Sequence, residues 1–117
     1  MDELFETGLL LDFYGQLITE RQFEVLDLHY NSDYSLSEIA QNLNISRQGV
    51  YDNIKRGRAV LADMERKLGL VGRFMRQKER AGKILELLEG IDLPGLDAKT
   101  AESIREARQA VRGIMED

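Results

Sequence analysis

Apolar positions recur at helical spacing along almost the whole chain, and polar clusters cut the pattern into six segments. From Leu4 onward, Phe5, Leu9, Phe13 and Leu17, with Leu10 and Tyr14 beside them, predict a first amphipathic helix with that stripe as its apolar face, ending near residues 15–18. Thr19 then opens the sequence TERQ, in which a Thr hydroxyl and a Gln amide three residues later can satisfy each other's backbone N–H groups. A second helix therefore starts at about Glu20, runs through Phe23, Val25, Leu26, Leu28 and Tyr30, and stops at the polar cluster NSDYS. A third begins after Ser35 or Ser37 and reaches about Leu43. Asn44 stands where a sharp turn needs a positive φ, and Ser46 can cap a fourth helix. Along that helix Val50, Ile54, Gly57, Leu61, Met64 and Leu68 form one stripe, and Gly57 lets a neighbouring element come close. Gly69 is the expected stop. Val71, Phe74, Met75, Ala81, Leu85 and Leu88 mark a fifth helix, residues 90–97 (GIDLPGLD) a loop, and Ile104, Ala107, Val111 and Ile114 a last helix over about 98–115. The stripes within 58–89 suit a helical hairpin within one chain or pairing between chains.

Composition sharpens this to an all-α fold. The chain has 117 residues, 43% of them hydrophobic and 32% charged, with a single proline. That is enough for one continuous core, divided here into a helix-turn-helix domain over 1–68, with its motif at 35–56, and a helical hairpin or interaction arm over 69–117 packed as part of it. There is no cysteine and only one histidine, His29, so thiolate chemistry, Cys-ligated zinc and a histidine-based metal site find no ligands. His29 falls at a helix end beside the NSDYS turn, a place for a half-buried structural role. Glu20, Glu24 and Asp27 lie on a solvated helix face without a catalytic partner, and no cofactor is implied. The start MDELFETGLLLDFYG is acidic and its apolar run is broken by Asp12, which suits neither a signal peptide nor a membrane span. A cytoplasmic protein that is not an enzyme is expected.

Net charge is -5, but the charges are segregated. Residues 1–45 carry nine acids against one arginine, a balance of -8; residues 46–83 carry eleven bases against four acids, +7; residues 84–117 carry eight acids against four bases, -4. A basic middle between acidic flanks points to a polyanion or an acidic surface as partner, unless the acidic helices simply neutralise it by packing alongside.

The segment SLSEIAQNLNISRQGVYDNIKR, Ser35 to Arg56, meets the requirements of a helix-turn-helix together. Ile39, Leu43, Ile45, Val50 and Ile54 supply an inner seam, Ala40 a small residue at the crossing, Asn44 the turn and Ser46 the cap. The outer face of the second helix then presents Arg47, Gln48, Tyr51, Asp52, Lys55 and Arg56, with Asn53 at one edge and Arg58 beyond. Arg and Gln suit base edges, Lys and Arg suit phosphates, and Ser46 with the neighbouring N–H groups can hold a phosphate. Asp52 must accept from a cytosine amine or pair with Arg56, and Gly49 loosens the first turn. Arg73, Arg76, Lys78 and Arg80 form a secondary basic surface. The alternative is a hairpin used only for protein contact.

ITERQFEVLDLHY followed by SLSEIAQNLNISRQGVYDNIKRGRAVL resembles the fourth region of bacterial sigma factors. DFYGQLITERQ with DYSLSEIAQNLNISRQGVYDNIKR is more closely similar to the YlxM-like family of small bacterial helix-turn-helix proteins, over most of residues 10–70. That resemblance implies a regulatory, DNA-binding protein. Because genes of the family commonly lie beside that of the signal recognition particle's GTPase, it also implies a part in that pathway, with the particle's RNA or the GTPase as partner. Two long stripes in a small chain lead us to expect a homodimer, and a DNA regulator would set its two recognition helices ~34 Å apart.

Overall fold

The computed structural model describes residues 3–116, and among them every regular element is helical. The order is α1 (Glu3–Tyr14), a 3-10 turn (Gly15–Leu17), α2 (Glu20–Tyr30), α3 (Leu36–Leu43), α4 (Arg47–Leu68), α5 (Leu70–Glu89) and α6 (Ala98–Glu116). The chain forms two compact units, Met1–Val71 and Gly72–Asp117.

In the first unit, helix starts follow the local sequence closely. Thr19 Oγ1 accepts from the Gln22 N–H and Gln22 Oε1 accepts from the Thr19 N–H, both at 3.1 Å. Ser35 and Glu38 repeat the arrangement at α3, again at 3.1 Å, so Ser35 rather than Ser37 is the cap. The Ser35 N–H, and then its hydroxyl, stabilise the charged carboxylate and hold Glu38 below the usual range. His29 Nδ1 lies 2.8 Å from the Tyr34 carbonyl oxygen and therefore donates to it, tying the end of α2 to the approach to α3.

The core of this unit is built from Leu11 and Tyr14 on α1, Val25 and Leu26 on α2, Ile39 on α3, and Val50, Ile54 and Leu61 on α4. A Cβ at Gly57 would fall 2.7 Å from Leu26 Cδ1 and 3.5 Å from Gln22 Cβ. The glycine anticipated from the stripe is thus the point where α2 packs onto α4.

The apolar stripe assigned to α1 is not the face that the core uses. Phe5, Phe13 and Leu17 are exposed, whereas Thr7, Leu11 and Tyr14 are buried. The reason lies in the composition of ELFETGLLLDFY, which is apolar on nearly all sides. Periodicity then fixes helicity but not which face turns inward, and packing against α2 and α4 chooses.

Tyr14 carries the link to the fifth helix. Its hydroxyl donates to Glu65 Oε1 at 2.6 Å and accepts from the Leu70 N–H at 3.1 Å, while the same carboxylate oxygen accepts from the Val71 N–H at 3.0 Å. Two first-turn N–H groups of α5, which no helical carbonyl can reach, are satisfied in this way. Gly69 makes the bend at φ 65, the left-handed conformation that glycine adopts without strain. Burial, and then the Glu65 carboxylate, push the Tyr14 phenol above its ordinary value. Tyr14→Phe is expected to cost about 1–3 kcal/mol by removing the part-buried donor to the Glu65 carboxylate and the acceptor of the Leu70 N–H. Because the folded state holds this proton more tightly than the unfolded state, that contribution is complete below the ordinary tyrosine value of about 10 and declines as pH rises beyond it. Urea titrations of the two proteins should therefore converge above about pH 10; a constant gap would refute the role given to the hydroxyl.

The second unit pairs α6 with α5 through reciprocal end caps. Arg108 donates to the Leu88 carbonyl from Nε at 3.1 Å and Nη2 at 2.8 Å, and to the Ile91 carbonyl at 3.0 Å. Lys78 in turn donates to the Met115 carbonyl at the end of α6. Each cation meets the negative pole of the other helix, where the last carbonyls lack helical donors. The fully buried apolar residues described in this unit are two alanines, Ala81 and Ala101, and Phe74, Leu85, Leu88 and Ile104 are half-buried.

Candidate nucleic-acid interface

Between α3 and α4 the chain turns in three residues. Asn44 adopts φ 56 and ψ 47, and its N–H and that of Ile45 both reach the Ala40 carbonyl, the latter at 3.1 Å. Ser46 Oγ accepts from the Gly49 N–H at 2.9 Å, fixing the start of α4. A Cβ at residue 49 would sit 3.1 Å from that hydroxyl oxygen, so glycine leaves the cap uncrowded. The Gly49 carbonyl also accepts from Asn53 Nδ2 at 2.8 Å. The first turn expected to be loosened by glycine thus has both of its peptide groups engaged.

Beyond this cap, Arg47, Gln48, Tyr51, Lys55 and Arg56 are brought together as one exposed row on α4. Leu36 of α3 closes a shallow depression of about 320 Å³ with Arg47, Gln48 and Tyr51, an apolar edge that sequence spacing does not reveal. On the other flank, Tyr51, Lys55 and Arg58 face Glu6, Thr7 and Leu10 of α1 across an open groove of about 490 Å³. The nearness of α1 to this row depends on the tertiary fold and has no signature in residues 35–56.

Three expectations are modified by side-chain geometry. Asp52 accepts from Gln48 Nε2 at 3.1 Å instead of pairing with Arg56. Helical side chains lean toward the N-terminus, which brings Asp52 over Gln48 one turn back. Asn53 is half-buried and turned back along its own helix onto Gly49, away from the outer row. Arg58 lies 5.8 Å from the centre of the Tyr30 ring, against α2.

The secondary basic surface also changes membership. Arg73, Arg76 and Arg80 are exposed along one face of α5, and Lys83 continues their row. Lys78 leaves the set: it lies 5.1 Å from the Phe74 ring centre and caps Met115. Its place in the helical repeat is off that row, which a count of cations along the sequence overlooks.

Among the described residues, no three or more His, Asp and Glu side chains are grouped so as to hold a metal ion, and no helix is long and apolar enough to cross a membrane.

Residues 1–92 match the family described as "Putative helix-turn-helix protein, YlxM / p13 like". A UPF0122 protein of Acetivibrio thermocellus is 56% identical over 116 residues, covering 99% of both chains. One from Desulforamulus reducens is 35% identical over 116 residues, covering 99% of this chain and 96% of its own, and one from Caldanaerobacter subterraneus is 48% identical over 87 residues, 74% of each. With a matched helix-turn-helix in place and likeness extending over whole chains, the protein belongs to the UPF0122 family of YlxM/p13-like helix-turn-helix proteins.

Proposed function

We propose that this protein is a regulatory helix-turn-helix protein that binds nucleic acid through the outer face of α4. The observation that carries the reading is the exposed row of Arg47, Gln48, Tyr51, Lys55 and Arg56 on a helix whose start is fixed by Ser46. Three cations, an amide and an aromatic ring at the protruding helix of this motif suit phosphates and bases together. Ser46 lies beside them at the positive end of α4, where a phosphate oxygen is favoured.

The Gln48–Asp52 bond engages one N–H of the amide suited to reading adenine and keeps an acid on the face. That supports a grip on backbone and shape more than a reading of base sequence. It suits structured RNA, whose deep major groove does not admit a helix, as well as duplex DNA. We propose further that it acts in the signal recognition particle pathway, with the particle's RNA as the first ligand to test and its GTPase as the second. In the alternative role, as a sigma-like module for protein contact, the row would dock on an acidic protein surface.

A titration against duplex DNA, the particle's RNA and the purified GTPase, each at two salt concentrations, separates these readings. Nucleic-acid binding that weakens steeply with salt is expected, because displaced counterions return to the polyanion. Absence of measurable binding to either nucleic acid at low salt would refute the proposal. Binding to the GTPase alone, with little dependence on salt, would support the docking module in its place.

A further inference from the structure

Two exposed surfaces lie outside the α4 row, one on each unit. On α1 and the following turn, Phe5, Leu9, Phe13 and Leu17 recur every fourth residue; Phe5 is 56% exposed, Phe13 39% and Leu17 57%. Glu6 and Asp12 flank this stripe, and no Lys or Arg occurs before Arg21. On α5, Arg73, Arg76, Arg80, Lys83 and Leu87 follow one another in steps of three and four, with Ile84 beside them. Leu87 is 74% exposed and Ile84 49%, and the row itself holds no acid, with Glu79 and Glu86 along one edge of it.

We infer that these are the two halves of one self-interface, in which the acidic apolar stripe of α1 receives the basic apolar face of α5 from a second copy of the chain. Exposed apolar stripes of this kind mark interaction surfaces, and here the flanking charges select the occupant. An α1 stripe against its own copy would set acids on acids, and an α5 face against its own copy would set cations on cations. The α1–α5 combination alone brings opposite charges together around apolar contacts. Lengths also agree: at 1.5 Å per residue the stripe from residue 5 to 17 spans about 18 Å and the row from 73 to 87 about 21 Å. The segregation of charge, -8 in residues 1–45 against +7 in 46–83, thereby acquires a use within the species itself. Exchanged reciprocally, two such contacts close a dimer. This inference does not draw on the α4 row and stands apart from nucleic-acid binding.

The test uses two charge-reversed full-length proteins, Arg76→Glu/Arg80→Glu and Glu6→Lys/Asp12→Lys, followed by sedimentation equilibrium at low salt. Wild-type protein should approach twice the chain mass of 13.4 kDa with rising concentration and return toward it as salt is added. Each variant alone should remain at the single-chain mass. An equimolar mixture of the two should recover the dimer, because one of its interfaces is the natural pair and the other the same pair with charges exchanged. Wild-type protein that stays monomeric at hundreds of micromolar would overturn the proposal. So would loss of the dimer in only one variant, which would indicate pairing of like faces, or a mixture that fails to reassociate. All four reversed positions are exposed, so folding should persist, and helix content is checked by circular dichroism. As an uncharged control, Leu87→Gln should weaken self-association at least tenfold; unchanged association would likewise count against the interface.

Discussion

Leu26→Ala is expected to lower stability by about 2–5 kcal/mol, and adding Gly57→Ala to it should recover part of the loss. Leu26 is fully buried, and its Cδ1 occupies the space that a Cβ at residue 57 would approach to 2.7 Å. In the natural background Gly57→Ala forces a packed leucine to move, at a cost of about 1–3 kcal/mol, set against about 1 kcal/mol of improved helix propensity. Once Leu26 is truncated, the added methyl group enters vacated space and the propensity gain is left largely unopposed. The same substitution should therefore change sign between backgrounds. Urea unfolding of the four proteins gives the cycle directly. Equal effects of Gly57→Ala in both backgrounds would mean that this contact does not limit the approach of α2 to α4.

Arg47→Ala/Lys55→Ala/Arg56→Ala should reduce nucleic-acid affinity on the order of a hundredfold or more at moderate salt and lower the salt slope by about 2–3, since each phosphate contact contributes ~0.7–0.9 to that slope. All three side chains are exposed, so the fold should be retained. Asn53→Ala is the informative comparison, because this uncharged, half-buried side chain is turned back onto the Gly49 carbonyl. It should leave the slope unchanged. Fluorescence anisotropy against a labelled RNA hairpin and a DNA duplex across a salt series measures both quantities. A triple variant with the natural slope would place the phosphate contacts elsewhere.

Much of the fold was legible in the sequence wherever one residue could act on backbone a few positions away. The Thr19–Gln22 box, the left-handed Asn44 and Gly69, and the Ser46 cap are interactions within one helix end, so their residue types carry the geometry with them. The stripe on α4 was similarly readable because polar residues occupy its other sides. On α1 that contrast is missing, so its most regular stripe is the side that packing leaves exposed. Within the candidate site, exposure of Arg47, Gln48, Tyr51, Lys55 and Arg56 followed from the seam through Val50 and Ile54. The partners of Asp52, Asn53, Arg58 and Lys78 did not, since each depends on which neighbour its side chain leans toward.

The sequence by itself determined an all-helical chain, the places where helices start and turn, and the alternation of acidic, basic and acidic segments, because propensity, capping and charge count act locally. Only the tertiary structure decided that Tyr14 and Glu65 anchor the start of α5, that Arg108 and Lys78 cap each other's helices, and that Phe5 and Phe13 face outward. Apart from the short Glu65–Val71 step, those outcomes join residues 17 to 56 positions apart or choose between two apolar faces. In both cases the deciding energy is that of packing and burial between elements, which no periodicity within a single helix contains.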